Sequence, residues 1–162
     1  MRMRVLGLDP GSRRTGWGVV ERYGERLICV AHDVVTLGDG GLATRLAVLH
    51  DELQRVVRTY EPAACAVEGL FKHRNAKSAL VLAHARGICL LAAAAAGVPV
   101  VEYSPARVKR SITGNGAATK ERVGDMVARA LAVEGQVATD AADALAVALC
   151  HLQSERTLRV CV

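Results

Sequence analysis

The stretch Val5-Leu6-Gly7-Leu8-Asp9-Pro10-Gly11-Ser12 decides how this chain folds. Its short apolar run reads as a buried strand that delivers one carboxylate, Asp9, at its exit, and Pro10-Gly11 turns the backbone at once. Outward from it, residues 4–9, 15–22 and 26–35 read as three strands, with Gly24 closing a tight hairpin between the last two. Connections this short imply an antiparallel meander.

Leu42, Leu46, Leu49, Leu53, Val56 and Val57 are spaced for one face of a helix over residues 42–60, which Glu61-Pro62 stops. Residues 63–67 form a short apolar run ending at Glu68, a strand expected to return parallel to the first. After a polar, basic loop, residues 78–96 read as a helix apolar nearly all round, followed by a strand at 100–103. Ser104-Pro105 opens a short basic helix through Arg110, a glycine-containing loop spans 113–117, and helices follow at 119–131, capped by Thr119, and at 139–152. The order β-β-β-α-β-α-β-α-α-α predicts an α/β domain over residues 1–152: a mixed five-stranded sheet, three strands antiparallel and two parallel, with helices on both faces. Residues 153–162 read as a loosely held, flexible tail.

A length of 162 residues suits one domain, and with 51% apolar but only 3% aromatic residues the core must be built from Val, Leu, Ile and Ala. A net charge of +5 favours an acidic partner such as nucleic acid. The five cysteines show no C-x-x-C spacing, which predicts reduced thiols in a cytoplasmic protein rather than a disulfide framework or zinc site. Met1-Arg2-Met3-Arg4 leads straight into the first strand without a signal-like segment. The longest apolar stretch, residues 78–101, is interrupted by His84, Arg86, Gly97 and Pro99, so no membrane association is expected.

Asp9 alone is also consistent with a turn residue accepting local hydrogen bonds. Glu68 is harder to explain that way, because it ends an apolar strand and burial of a lone carboxylate is costly. Asp140 and Asp143 fall on one face of the last helix, with small alanines around them that allow close approach to a sheet edge. Taken singly, that pair suits a helix N-terminus equally well, with Thr139 or Asp140 as cap. Should all four carboxylates converge, their repulsion would call for hard cations such as magnesium or manganese between them. Two such ions about 3.5–4 Å apart activate a water and stabilise the leaving oxygen of a phosphodiester.

These residues resemble the RuvC Holliday-junction resolvases, within the ribonuclease H-like fold. The resemblance is carried by the opening stretch with Thr15-Gly16, by Glu68 with Phe71, Asn75-Ala76 and Ser78-Ala79-Leu80, and by Ala85-Arg86-Gly87. It continues through Val108-Lys109, Thr113-Gly114-Asn115-Gly116 and Asp140-Ala141-Ala142-Asp143-Ala144-Leu145-Ala146, in order over nearly the whole chain. It implies a metal-dependent endodeoxyribonuclease, a homodimer that resolves four-way DNA junctions in homologous recombination and repair by paired, symmetric nicks leaving 5′-phosphate ends. Carried over by position, Asp9, Glu68, Asp140 and Asp143 are the catalytic and metal-binding carboxylates, for two Mg2+ ions with Mn2+ as a substitute. Lys109 and Lys120 match basic residues near the scissile phosphate, Phe71 matches an aromatic that stacks on a junction base, and the RuvA–RuvB branch-migration complex is the implied partner. Gly69 stands where many relatives are expected to carry Gln or another larger side chain, and Lys72-His73-Arg74 is more basic than the family pattern, so cut-site preference is expected to differ.

The basic residues also make sense without the resemblance. Arg13 and Arg14 follow the Asp9 turn, Lys72, Arg74 and Lys77 follow Glu68, and Arg107, Lys109, Arg110, Lys120 and Arg122 flank the loop containing Asn115. Positive charge therefore accompanies each carboxylate element, as phosphate contacts require, although any one of these side chains would also suit a solvated surface. Phe71, the single phenylalanine, lies in a basic loop, where base stacking is worth about 1–3 kcal/mol and packing the loop down is the alternative. The helix at 78–96 has apolar surface enough for both the sheet and a twin subunit. Three further readings compete: a nuclease for RNA or another branched substrate, like the YqgF relatives; an actin-like phosphate-binding hairpin; and a non-catalytic DNA-binding module. The second needs two lobes, for which 162 residues leave no room.

Overall fold

The computed structural model describes residues 2–69 and 75–160, with side chains through residue 155. Strands β1 (Arg2–Asp9), β2 (Arg14–Tyr23) and β3 (Arg26–Thr36) form the antiparallel meander, and Gly24 takes a φ of +60° in the β2–β3 turn. Helix α1 (Leu42–Tyr60) crosses to β4 (Ala64–Glu68), which pairs parallel to β1, and α2 (Ala76–Ala95) crosses to β5 (Val100–Tyr103), parallel to β4. The five-stranded sheet runs β3-β2-β1-β4-β5, mixed as the order of elements predicted, with β4 returning beside β1 as expected. Helices α3 (Pro105–Thr113), α4 (Lys120–Leu131) and α5 (Thr139–Val160) complete the chain.

Alternation along the strands divides the core in two, because successive side chains point to opposite faces. Leu6, Leu8, Trp17, Val19, Cys65 and Val67 pack with Leu49, Leu53 and Val56 of α1 and Ala85, Cys89 and Ala92 of α2. Val5, Val20, Ala64 and Ala66 meet α5, with α3 and α4 completing that side. Trp17 is core, as expected, and tilts against Tyr60 with ring centroids 5.8 Å apart. On the second face, Tyr103 of β5 and the buried His151 of α5 share a hydrogen bond of 2.8 Å, tying the end of the sheet to the helix.

Several boundaries differ from the expected ones, each for a local reason. Helix α2 begins at Ala76 because the Asn75 side chain accepts hydrogen bonds from the Lys77 and Ser78 amides and caps it. Helix α3 continues past Arg110 to Thr113, where Gly114 enters the left-handed region at φ +77° and ends it. Helix α5 does not stop at Leu152 but continues to Val160, with the Ser154 hydroxyl donating back to the Cys150 carbonyl. It also starts at Thr139, so neither Thr139 nor Asp140 is its cap, and both aspartates lie within helical turns.

Candidate active site

Beyond the last register pair of β1 and β4, Leu8 with Val67, the next residues along the two strands are Asp9 and Glu68. Both belong to the set of positions facing α5, since Leu8 and Val67 pack against the opposite face. Two adjacent parallel strands therefore end by presenting carboxylates on the same side. The turn after Asp9 is braced: the Gly11 amide donates to the Thr15 hydroxyl, the Leu37 amide to the Arg13 carbonyl, and the Arg45 guanidinium to the Ser12 carbonyl. Gly11 is required there, because a Cβ would lie 2.0 Å from the Arg14 carbonyl oxygen.

Helix α5 reaches this edge because the strands beneath it lack side chains where it crosses. A Cβ on Gly7 would lie 1.9 Å from the Ala144 carbonyl oxygen, one on Gly16 1.9 Å from that of Asp140, and one on Gly18 2.6 Å from Leu145. Main chain thus packs on main chain, and the first turns of α5 bring Asp140 and Asp143 to the ends of β1 and β4. Gly7 and Gly16 stand in the motifs that carry the family resemblance, but a close approach of a helix to them is not legible from those motifs. Their signal was available as glycine at alternate positions, 16 and 18, of an otherwise apolar strand.

The four carboxylates share one electrostatic environment. Burial, followed by the charges of Asp143, Glu68 and Asp140, pushes the Asp9 carboxyl up to about 7 despite the opposing Lys120 ammonium. Burial and Asp143 also raise Glu68, against Lys120 and Lys109. The α5 aspartates take cationic partners: Lys120 Nζ lies 3.0 Å from Asp143 Oδ2 and Arg14 Nε 3.1 Å from Asp140 Oδ2. Among the described residues, no three acidic, histidine or cysteine side chains close into a ready-made metal cage. An all-oxygen donor set in which the half-buried Asp9 carboxyl is pushed up by desolvation and then by its acidic neighbours fits a hard divalent cation, which would relieve that repulsion.

The expected DNA-contacting residues fall into groups. Lys120 and Arg14 touch the acidic cluster, and Lys109 is close enough for its charge to lower Glu68. Arg13, Lys77 and Arg110 are exposed, and Arg13 lies 3.9 Å from Asp39. Asn115 is exposed at its backbone loop, its side-chain oxygen accepting from the Ala117 amide. Arg107 turns elsewhere: its guanidinium lies over the Tyr103 ring, 5.1 Å from the centroid, and donates to the Ser154 hydroxyl. Phe71, Lys72 and Arg74 lie outside the described residues.

A family model described as "Crossover junction endodeoxyribonuclease RuvC" matches residues 5–151. The chain belongs to the RuvC family. A Myxococcus xanthus protein named crossover junction endodeoxyribonuclease RuvC is 54% identical over 158 residues, covering 95% of this chain and 82% of the relative. A Thermus thermophilus RuvC structure superposes with a TM-score of 0.86 at 34% identity, covering 96% of both chains. T. thermophilus RuvC in complex with a Holliday junction substrate gives 0.87 at 33% identity, again over 96% of both.

Against the RuvC pattern, Gly69 has an ordinary geometry: its φ is not left-handed, and among the described residues a Cβ there would meet the Tyr103 carbonyl, its oxygen at 3.5 Å.

Proposed function

We propose that this RuvC-family protein is a crossover junction endodeoxyribonuclease that resolves four-way DNA junctions by paired, symmetric nicks in recombination and repair. The observation that carries this reading is the meeting of Asp9 and Glu68, at the ends of adjacent parallel strands, with Asp140 and Asp143 of a helix seated on glycine. A DNA-binding module without catalysis has no need of clustered, half-buried carboxylates, which repel phosphate.

Asp9, Glu68, Asp140 and Asp143 would hold the metal ions, two Mg2+ with Mn2+ as a substitute. When bound, such a pair supplies activation of the attacking water and charge stabilisation of the leaving 3′-oxygen, giving 5′-phosphate ends. Lys120 and Lys109 flank the same carboxylates and would fix the scissile phosphate by its non-bridging oxygens. Arg13, Lys77, Arg110 and Asn115 would follow the adjoining strands, with Phe71 stacking on a base and Lys72 and Arg74 holding nearby phosphates. Arg14 would exchange Asp140 for DNA, whereas the geometry of Arg107 favours a packing role.

Paired nicks require two sites, and α2 offers a surface for a second copy. It is long and apolar enough to cross a membrane by composition, with a mean hydropathy of 1.7, yet one face packs on the sheet and carries the buried Arg86. Its outward stripe includes Leu80 and Leu91, 63% and 52% exposed, with Ala83, Gly87 and Ala94 between and beyond them. Among the described residues a Cβ on Gly87 would meet nothing within 4 Å, so no described contact accounts for this mid-helix glycine, while a closely packed partner helix would. The homodimer would act in the cytoplasm, where RuvA–RuvB would deliver the junction.

The test is cleavage of a synthetic mobile four-way junction with Mg2+ or Mn2+, mapped to nucleotide positions, with linear duplex and RNA as competitors. Paired cuts on opposed strands that vanish in Asp9→Asn are expected. Equal cutting of linear duplex or RNA would overturn junction specificity.

A further inference from the structure

We infer that Arg86 of α2 is a positioning residue for Glu68, acting on the peptide unit by which that residue leaves β4. This assignment rests on the reading of Glu68 as a metal-site carboxylate. Arg86 Nη1 donates to the Glu68 carbonyl at 2.7 Å, while Nη2 lies 2.6 Å from Glu102 Oε2. The other end of the same peptide unit, the Gly69 amide, donates to the Tyr103 carbonyl at 2.8 Å. Both polar groups of the Glu68–Gly69 peptide are therefore held, one by the neighbouring strand and one by a helix on the opposite face from the carboxylate.

Without such a holder the last residue of a strand is free to rotate about its ψ, and its side chain leaves the perpendicular. Pinning the carbonyl keeps Glu68 in sheet geometry to its final bond, so its carboxylate rises toward Asp9 and α5. Arginine suits the task because its planar fork reaches two acceptors in fixed directions, which a lysine ammonium on a flexible stem does not. Burial strengthens the case. Arg86 is only 6% exposed among Ala85, Cys89 and Ala92, and desolvating a guanidinium is costly where a leucine would simply pack. Glu102, partly exposed on β5, offsets that charge and orients the fork.

The experiment measures Mn2+ affinity of the full chain by calorimetry without DNA, and junction cleavage in parallel, for Arg86→Lys, Glu102→Gln, Glu68→Gln and Asp9→Asn. Arg86→Lys is expected to weaken Mn2+ binding about 10-fold and to lower kcat with little change in KM, as loss of an outer-shell support does. Glu102→Gln is expected to act in the same direction and more weakly, and it keeps the assignment testable should Arg86→Lys fail to fold. Affinity and kcat within twofold of the parent for the folded variants would overturn the assignment, including the case where only thermal stability falls. If Glu68→Gln and Asp9→Asn also left Mn2+ binding unchanged, the metal-site reading would fail and take Arg86's role with it. Loss in those two variants alone would sink only the role of Arg86.

Discussion

Gly16 lies against the main chain of Asp140, so that a methyl group in place of its hydrogen would sit 1.9 Å from the Asp140 carbonyl oxygen. Neither partner can yield cheaply, because one is a central strand and the other the first turn of α5. Gly16→Ala should therefore lift the aspartates away from Asp9, abolish cleavage and cost about 1–3 kcal/mol or more of stability. Gly124→Ala in α4, where a Cβ meets nothing within 4 Å among the described residues, is the matched control. It should stabilise by about 0.5–1 kcal/mol in thermal unfolding.

Asp9 titrates near neutrality in the metal-free protein, at about 7 against an ordinary 3.8, chiefly because it is buried and secondly because Asp143 is near. A carboxyl raised in the folded state contributes stability that is full below its unfolded value and lost as pH rises through about 7. Chelator-treated protein should thus lose thermal stability as pH rises from about 4 to about 7, the window between the unfolded and folded values of this group, and level off above it. Asp9→Asn should flatten that slope, raise the melting temperature at pH 8, eliminate cleavage and retain or tighten junction binding. A steeper slope in the variant would contradict the assignment.

Lys120 faces Asp143 at 3.0 Å and feels Asp9 and Glu68, and the Asp143 hydrogen bond holds its ammonium above the ordinary lysine value. Its charge persists across the working pH range, since the stabilisation is lost only as pH climbs through that raised value. Lys120→Ala should leave the cleavage pH profile without a new basic limb. It should also lower kcat by about 10²–10³, the usual loss for one electrostatic donor. Single-turnover cleavage across pH reads both quantities.

Leu91→Glu and Gly87→Leu on the outward face of α2 should produce monomers by sedimentation with an unchanged circular dichroism spectrum. The expected functional signature is uncoupled single nicks in place of paired cuts, visible on a supercoiled cruciform plasmid. Retention of paired cutting by a demonstrated monomer would remove α2 from the interface.

Much of the fold was legible because its signals are local. The apolar run ending in Asp9, the helical spacing from Leu42 to Val57 and the Thr119 cap each depend on neighbours a few residues away. Boundaries shifted where one side chain or one φ mattered, as with the Asn75 cap of α2 and the left-handed Gly114 after α3. Arg107 illustrates a different limit: its charge and place in the chain suggested phosphate, yet the Tyr103 ring and Ser154 hydroxyl lie within its reach.

The sequence by itself determined that carboxylates stand at two strand ends and on one face of the last helix, that basic residues accompany them, and that the pattern is that of the RuvC family. Tertiary structure alone decided that the three elements meet. Alternation places Asp9 and Glu68 on the α5 side, but what brings Asp140 and Asp143 to them is the clearance above Gly7, Gly16 and Gly18. It alone also decided that Arg86 grips the Glu68 carbonyl from the opposite face. Contacts between distant segments depend on how closely two backbones can approach, and no local periodicity encodes that distance.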